Sequence, residues 1–356
     1  MKTRPDLSVM VVHGPEIFDS GEAAWLLSTL KPARTVVAGV MARTAAEESH
    51  LPVEFSGKPP GDVIRATDGA VFLANRGKTA QSGRIFGEII TSRLGNRGLV
   101  HVECSSHTIF CWNGGDMALS ATLSQLTGYG VEGVRATRSL TPAVREIRGC
   151  IPGEAVYVNG IIIGRATAET VVIRWSGDAI EPVAGLLPKP HGIEKLSRTG
   201  QLDLATAWCK SGAIRTAMPK ATGCAPEEGR VLVIDHCGHE FYARLPDDCC
   251  GVLAIGDDTT MVCGHICLHC GIPVLGIVDG DQDAIVPSGF ARGSVIVEAI
   301  CERDDDIGAE VARGARTHMV RWTEWVDGVL AHLHGRVKIV QDMRETRDGD
   351  DAVRPV

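Results

Sequence analysis

The sequence contains no run of about 18 consecutive apolar residues, the length that a membrane-spanning helix needs. The apolar run near the N-terminus, within MKTRPDLSVMVVHGPE, is also too short for a signal peptide. A positive charge excess is missing as well, because 36 Lys and Arg face 44 Asp and Glu, which gives a net charge of −8. These absences predict a cytoplasmic protein that does not bind membranes and has no extended nucleic-acid surface.

Two catalytic motifs are also absent. The G-x-S-x-G nucleophile motif of serine hydrolases does not occur. Gly77-Lys78-Thr79 lacks the first glycine of a Walker A loop, because Phe72 takes its position. The composition is 44% hydrophobic and 22% charged, as in soluble globular proteins with real cores. A length of 356 residues predicts two domains.

The most informative stretch is Val252 to Asp283, which contains two apolar runs that each end in carboxylates. Between the runs lies a predicted helix, capped by Asp258 or Thr259 and stopped by Gly271. Strand, helix and strand of this length form a βαβ unit, whose strands are parallel. Both acidic groups are therefore expected at one carboxyl edge of a sheet, where α/β proteins bind ligands.

Clustered carboxylates repel one another unless a cation or water separates them, so this edge predicts a Mg²⁺ or Mn²⁺ site that orients a phosphate-bearing ligand. The metal ligands assigned to it are Asp257, Asp258, Asp279, Asp281 and Asp283. Thr259 and Thr260, at the same helix start, are assigned to the phosphate, and Asp235, His236 and His191 to acid–base catalysis. A hydrated acidic turn is the alternative explanation.

A second group of residues suits an anion. Asn75-Arg76-Gly77-Lys78-Thr79 follows an apolar strand and begins a helix, so free N–H groups and two cations are expected together. Arg76, Gly77, Lys78 and Thr79 are therefore assigned to a phosphate, with Lys195 of the 189–195 loop. A metal-dependent phosphate site needs donors beside the metal, so this segment is predicted to face the acidic edge across an interdomain cleft or a homodimer interface. A basic, solvated helix start is the alternative.

Two resemblances follow from these motifs. Asp279-Gly280-Asp281 after an apolar strand resembles the DxD of toprim domains, which implies a metal-dependent fold; Asp235 or Asp257 would replace the Glu that ends the first toprim strand. The HGPE motif at residue 13 and the segments at 75–79, 191–195, 256–260 and 279–281 together resemble an uncharacterised protein family of methanogenic archaea, a domain of unknown function. That resemblance implies a cytoplasmic protein and no particular activity.

The cysteine residues suggest an alternative hypothesis for the function of the protein. Cys263, Cys267 and Cys270 have the CxxxCxxC spacing of some iron–sulfur sites, but they share a helical face with apolar residues and are predicted to be buried without a cluster. The Cys/His-rich stretch 236–270 nevertheless leaves open a non-catalytic protein that binds a metal or cofactor.

The predicted fold class is α/β, with two parallel-sheet domains and a small antiparallel β insert between them. The predicted boundaries are 1–150 for the N-terminal domain, 151–200 for the insert, 201–229 for a helix and linker, 230–340 for the C-terminal domain and 341–356 for a disordered tail. Residues 54–63 are predicted to be a surface loop, 202–214 a helix and 308–334 helical.

Overall fold

The computed structural model describes residues 9–137, 141, 143–177, 179–198, 200, 202–213, 215–279, 289–315 and 319–344. The chain forms two compact units, unit 1 (Met1–Ala217) and unit 2 (Met218–Val356). Parallel strands alternate with helices in both units, so the α/β fold class is confirmed. Within the described residues, no helix is long and apolar enough to cross a membrane.

Unit 1 begins with a large sheet whose strands are β1 (Val9–His13), β2 (Arg34–Ala38), β3 (Glu54–Ser56), β4 (Val71–Asn75), β5 (Leu99–Glu103), β6 (Thr108–Trp112) and β7 (Gly130–Val134). The helices between them are α1 (Glu16–Asp19), α2 (Glu22–Leu30), α3 (Val40–Ser49), α4 (Pro60–Ala66), α5 (Ala80–Ser92) and α6 (Met117–Thr127).

The strand order of this sheet is β3-β2-β1-β4-β5-β6-β7, and the first five strands are parallel. The chain leaves β1 toward β2 on one side and later returns to β4 on the other side. The carboxyl ends of β1 and β4 therefore flank a topological switch point, the usual ligand position in open α/β sheets. Apolar side chains cover both faces of the sheet and form two buried clusters.

The β insert of unit 1 contains β8 (Val144–Arg148), β9 (Ala155–Val158), β10 (Ile161–Ala166), β11 (Thr170–Ser176), β12 (Ala179–Ala184), β13 (Leu186–Pro188), α7 (Pro190–Arg198) and β14 (Cys209–Ser211). It forms one sheet of order β13-β10-β9-β14 and another of order β12-β11-β8. Both predicted hairpins are confirmed. Asn159 and Gly160 have φ of 49° and 86°, as a tight hairpin turn of the I′ type requires.

Unit 2 contains β15 (Glu228–Asp235), α8 (Phe241–Arg244), β16 (Cys249–Ile255), α9 (Asp257–Cys270), β17 (Val274–Val278), β18 (Val295–Ala299), α10 (Asp304–Ala315), β19 (Val320–Arg321), α11 (Trp322–His332) and β20 (Val337–Asp342). The sheet order is β19-β15-β16-β17-β18-β20, and the four central strands are parallel. The predicted βαβ unit is therefore confirmed. Helices α10 and α11 pack on one face of this sheet around Ile307 and Trp322.

Several local predictions were wrong where distant partners decide the structure. Residues 54–63, predicted to be a loop, include β3, which gains its hydrogen bonds from β2, and the start of α4. Residues 189–195, also predicted to be a loop, lie mostly in α7. The described part of 202–214 contains β14 instead of a helix, because those residues pair with β9.

Two further expectations at the C-terminal end need correction. The 308–334 region contains two helices, α10 and α11, separated by β19, which pairs with β15. The predicted disordered tail begins inside β20, which pairs with β18, and residues 345–356 lie outside the described residues.

Candidate functional site

The carboxyl ends of the parallel strands in unit 2 bring several predicted residues together. His236 follows β15, Gly256 follows β16 and Asp279 follows β17. Ile255 pairs with Ile277, so the ends of β16 and β17 are adjacent, as the βαβ prediction requires. A shared ion between Asp257 and Asp279 stays a prediction. Asp281 and Asp283 lie outside the described residues, and the toprim resemblance, which needs Asp281, also stays a prediction.

His236 is held between two carboxylates at this edge. Its Nδ1 is hydrogen-bonded to Asp235 Oδ1, and its Nε2 lies 3.7 Å from Oδ1 of Asp305 in the first turn of α10. One ligand atom from each of Asp235, His236 and Asp305 lies within 4.8 Å of the others. The backbone of His236 has a φ of 52°, an uncommon conformation that frequently marks functional positions.

The proton on His236 explains why this arrangement suits a cation. A neutral imidazole that donates Nδ1–H to Asp235 presents a lone pair at Nε2. This Nε2 is buried and makes no hydrogen bond, and its neighbour, Asp305 Oδ1, is also an acceptor. Two acceptors that face each other are favourable only with a proton or a metal ion between them. Metal-bound histidines typically donate their other N–H to a carboxylate, as His236 does to Asp235.

The absence of a side chain at Gly256 leaves room for His236 in this position. A Cβ added to Gly256 would lie 2.8 Å from His236 Nε2, and the φ of Gly256 is +97°, which L side chains rarely adopt. Gly256, and not the predicted Asp258 or Thr259, is the N-cap residue of α9. The helix therefore begins directly beside His236, with Asp257 and Asp258 in its first turn.

The two threonines assigned to a phosphate point into the protein. Thr259 and Thr260 are 4% and 1% exposed. The Thr260 hydroxyl donates to the Ala254 carbonyl at 3.5 Å, and its methyl group lies over Gly276. Their assignment to a phosphate stays a prediction that has no geometric support here.

The Cys/His-rich stretch 236–270 does not converge on one point. Cys249 pairs with Arg230, whereas His236 follows the pair Asp235–Ile255 at the other end of the strands. Six residues of strand span about 20 Å, too far for shared coordination of one ion. Cys263 and Cys267 are fully buried, as predicted, and burial raises the pKa of both thiols; Cys270 is only partly buried.

In unit 1, the predicted anion-binding segment already has acidic partners. Arg76 donates to Glu22 at 2.5 Å, and this hydrogen bond raises the pKa of Arg76. Lys78 pairs with Glu154. Thr79 uses its hydroxyl and N–H in a capping box at the start of α5. A phosphate at this segment would have to compete with these internal carboxylates, so the four assignments stay predictions.

Glu103, which the sequence analysis did not select, organises the same segment. Its fully buried carboxylate accepts the Gly77 N–H at 2.8 Å and the N–H and hydroxyl groups of Ser105 and Ser106. The sequence gives no sign of this role, because Gly77 and Glu103 are 26 residues apart and meet only when β4 and β5 pair. His191 and Lys195 lie on α7, and their catalytic and phosphate roles stay predictions.

Asp305 is the other residue of this candidate site that the sequence analysis did not assign. The run Asp304-Asp305-Asp306 was visible after an apolar strand, and its placement at a helix start is a signal that could have identified it. Only the return of β18 beside β17 brings that helix to the edge that contains His236.

Comparison with known proteins agrees with the resemblance drawn from the motifs. The family model described as "Uncharacterized protein conserved in archaea (DUF2117)" matches residues 10–318. A curated protein of Methanocaldococcus jannaschii, "Uncharacterized protein MJ0065", is 32% identical over 325 residues, which cover 84% of this chain and 88% of that protein. No solved structure matches the chain. The chain therefore belongs to the archaeal protein family DUF2117.

Proposed function

We propose that this protein is an enzyme that uses a divalent metal ion to act on a small phosphorylated or nucleotide-like substrate. The metal ion would bind at the carboxyl edge of the unit 2 sheet. The observation that supports this proposal is the pair of facing acceptors, His236 Nε2 and Asp305 Oδ1, 3.7 Å apart. Two ligands bound at about 2.1 Å to a tetrahedral or octahedral ion lie roughly 3–3.5 Å apart, so a small adjustment would accommodate the ion.

The assigned roles follow from the geometry. His236 and Asp305 would hold the ion, and Asp235 would orient the imidazole through Nδ1. Asp257, Asp258 and Asp279 lie near the same edge and could provide further carboxylate oxygens or bind metal-coordinated water. The ion would neutralise the negative charge on a substrate phosphate and polarise its oxygens.

The phosphate half of the proposal is supported by two helix starts. Helix α9 begins after Gly256, which contacts His236, and the first turn of α10 contains Asp305. The N-terminus of a helix has unpaired N–H groups and a partial positive charge. Two such ends beside one metal ion favour an anionic ligand that bridges the metal and the backbone donors.

The imidazole ligand refines the choice of metal. Mg²⁺ prefers oxygen ligands and keeps much of its water, whereas imidazole suits later divalent metals. A site with one imidazole and several carboxylates therefore favours Mn²⁺ over Mg²⁺.

The experiment measures Mn²⁺ binding to the full chain, purified without an affinity tag, by electron paramagnetic resonance. Asp305→Asn should weaken Mn²⁺ binding by about tenfold or more, because it removes one charged ligand. Asp306→Asn is the matched control. Asp306 is exposed in the same first turn of α10, and its substitution removes the same charge. It should change the affinity by about twofold or less, since a solvated charge acts only through screened attraction.

Equal effects of the two variants would show that the acidic edge only attracts cations nonspecifically. A second measurement tests the substrate class with inorganic pyrophosphate as the probe. Pyrophosphate should bind in the presence of Mn²⁺ and lose that binding in Asp305→Asn. If pyrophosphate does not bind to the Mn²⁺-loaded protein, the phosphate half of the proposal fails and the metal half remains.

A further inference from the structure

The β insert of unit 1 contains a buried arginine whose hydrogen-bond acceptors are backbone carbonyls. Arg145 is only 3% exposed and lies on the same side of β8 as the core residue Ile147. Its Nη1 donates to the carbonyl oxygens of Leu204 and Ala205, at 3.3 and 3.1 Å. Among the residues that the structure describes, none has a carboxylate within ion-pair distance of Arg145. Because a guanidinium group is always charged, its burial here is only partly compensated.

The unused donors of Arg145 form the edge of the guanidinium group that binds oxyanions. Nε–H and one Nη2–H point in the same direction, and this Nε/Nη2 fork fits two oxygen atoms of a carboxylate or a phosphate. The Nε of Arg145 is buried and makes no hydrogen bond. Its Nη2 makes none to the described residues either, since both bonds of this side chain come from Nη1. The fork therefore has no acceptor from the described chain.

Two other arginines of unit 1 show what this fork binds elsewhere in the protein. Arg215 places Nε and Nη2 at 2.9 and 2.5 Å from the two carboxylate oxygens of Asp19. Arg34 places the same two atoms at 3.0 and 2.6 Å from the oxygens of Glu54. An empty fork costs more in a buried position, because water cannot replace the missing acceptors freely. Arg145 is buried and lacks the oxyanion that the exposed Arg34 has.

The acidic residues near Arg145 in the insert are directed elsewhere. Asp203 belongs to the turn that binds Nη1, but its carboxylate accepts the Ala205 N–H at 2.9 Å and the Thr206 hydroxyl at 3.1 Å. Glu146 follows Arg145 in β8 and lies on the exposed face of that strand. The acceptors for the fork therefore have to come from water or from a bound anion.

A second arginine adds positive charge on the same side of unit 1. Arg93 follows α5 as its C-cap residue, is half-buried, and makes no side-chain hydrogen bond to the described residues. Strand β8 lies against α5, because Arg148 of β8 pairs with Glu88 of α5. Burial lowers the pKa of Arg93, and the charge of Arg145 lowers it further. Two guanidinium groups that repel each other favour a dianion over a monovalent anion.

We propose that the Nε/Nη2 fork of Arg145 binds the phosphate group of a small ligand. Two phosphate oxygens accept Nε–H and Nη2–H, and Arg93 attracts the remaining negative charge. A phosphate group has a charge of about −1.5 to −2 at neutral pH, which matches two guanidinium groups better than a carboxylate does. The residues of this site belong to unit 1, and none of them belongs to the metal site proposed in unit 2.

The test is isothermal titration calorimetry of the full chain with inorganic phosphate, at constant ionic strength and with EDTA to remove divalent ions. We expect a Kd below about 5 mM for phosphate and binding of acetate that is weaker by about tenfold or more. Arg145→Lys should weaken phosphate binding by about tenfold or more, because lysine keeps the charge but has no fork. Arg174→Lys is the matched control. Arg174 is exposed and lies opposite Val144 in β11, so its substitution should change the affinity by about twofold or less.

Hydrogen exchange measured by mass spectrometry locates the bound phosphate in the wild type, so the result does not depend on whether Arg145→Lys folds. Phosphate should slow amide exchange in peptides that contain residues 143–148 and 203–207. A Kd above the stated limit, protection confined to unit 2, or equal affinities of Arg145→Lys and the wild type would each overturn the proposal. Acetate binding as strong as phosphate binding would overturn the assignment of a phosphate ligand. Asp305→Asn should bind phosphate as the wild type does in EDTA, which separates this result from the test of the metal site.

Discussion

Gly256→Ala tests whether the backbone beside His236 is essential to the candidate metal site. The new methyl group would lie 2.8 Å from His236 Nε2, about 0.6 Å closer than ordinary contact, so the imidazole must move. Alanine must also adopt the φ of +97° that glycine has there, which costs about 1–2 kcal/mol. We expect the free energy of unfolding of unit 2 to fall by about 1–3 kcal/mol and Mn²⁺ affinity to fall by about tenfold.

The chain offers a control with the opposite sign. Gly328 lies inside α11, is exposed, and has no heavy atom within 4 Å of an added Cβ. Gly328→Ala should therefore stabilise the helix by about 0.5–1 kcal/mol without changing Mn²⁺ affinity.

Urea unfolding followed by circular dichroism gives the stability of both variants, and Mn²⁺ titration by electron paramagnetic resonance gives the affinities. If Gly256→Ala binds Mn²⁺ as well as the wild type does, His236 is not a ligand in the geometry described here. If both glycine variants shift stability in the same direction, the argument from close approach and positive φ is refuted.

Two other predictions follow from burial. His101 is fully buried between Asn75 and Trp112, and burial lowers its pKa from 6.5 to about 4. Because the unfolded chain binds the proton first, stability should be complete above pH 6.5 and fall by up to roughly 3 kcal/mol as the pH decreases to 4. His101→Gln should make the acid limb of unfolding free energy against pH less steep, and an unchanged slope would contradict the assignment. Native protein treated with iodoacetamide should be alkylated quickly at the exposed Cys224 and Cys301 and slowly at the buried Cys263 and Cys267. Mass spectrometry measures these rates, and fast labelling of Cys263 would show that α9 opens readily.

Local sequence patterns were enough to predict the strands and turns that are marked by adjacent residues, such as an apolar run or an Asn-Gly pair. The strands β1, β4, β16 and β17 are short apolar runs that end in glycine or charge, and their burial on both faces explains why they were predictable. The Asn159-Gly160 hairpin was predictable because its backbone conformation favours those two residues. The carboxyl edge with His236, Asp257 and Asp279 followed from the geometry of βαβ units.

Only the tertiary structure decided which of these side chains meet. Asp305 reaches His236 through strand pairings that connect distant parts of the chain. Within the described part of the predicted helix at 202–214, Cys209–Ser211 forms β14 for the same reason, since pairing with β9 outweighed a weak local preference. The carboxylates Glu22, Glu103 and Glu154 that pair with the Arg76–Thr79 segment were likewise invisible in sequence. Electrostatic interactions and hydrogen bonds depend on distance in space, and sequence spacing does not specify that distance until the sheets form.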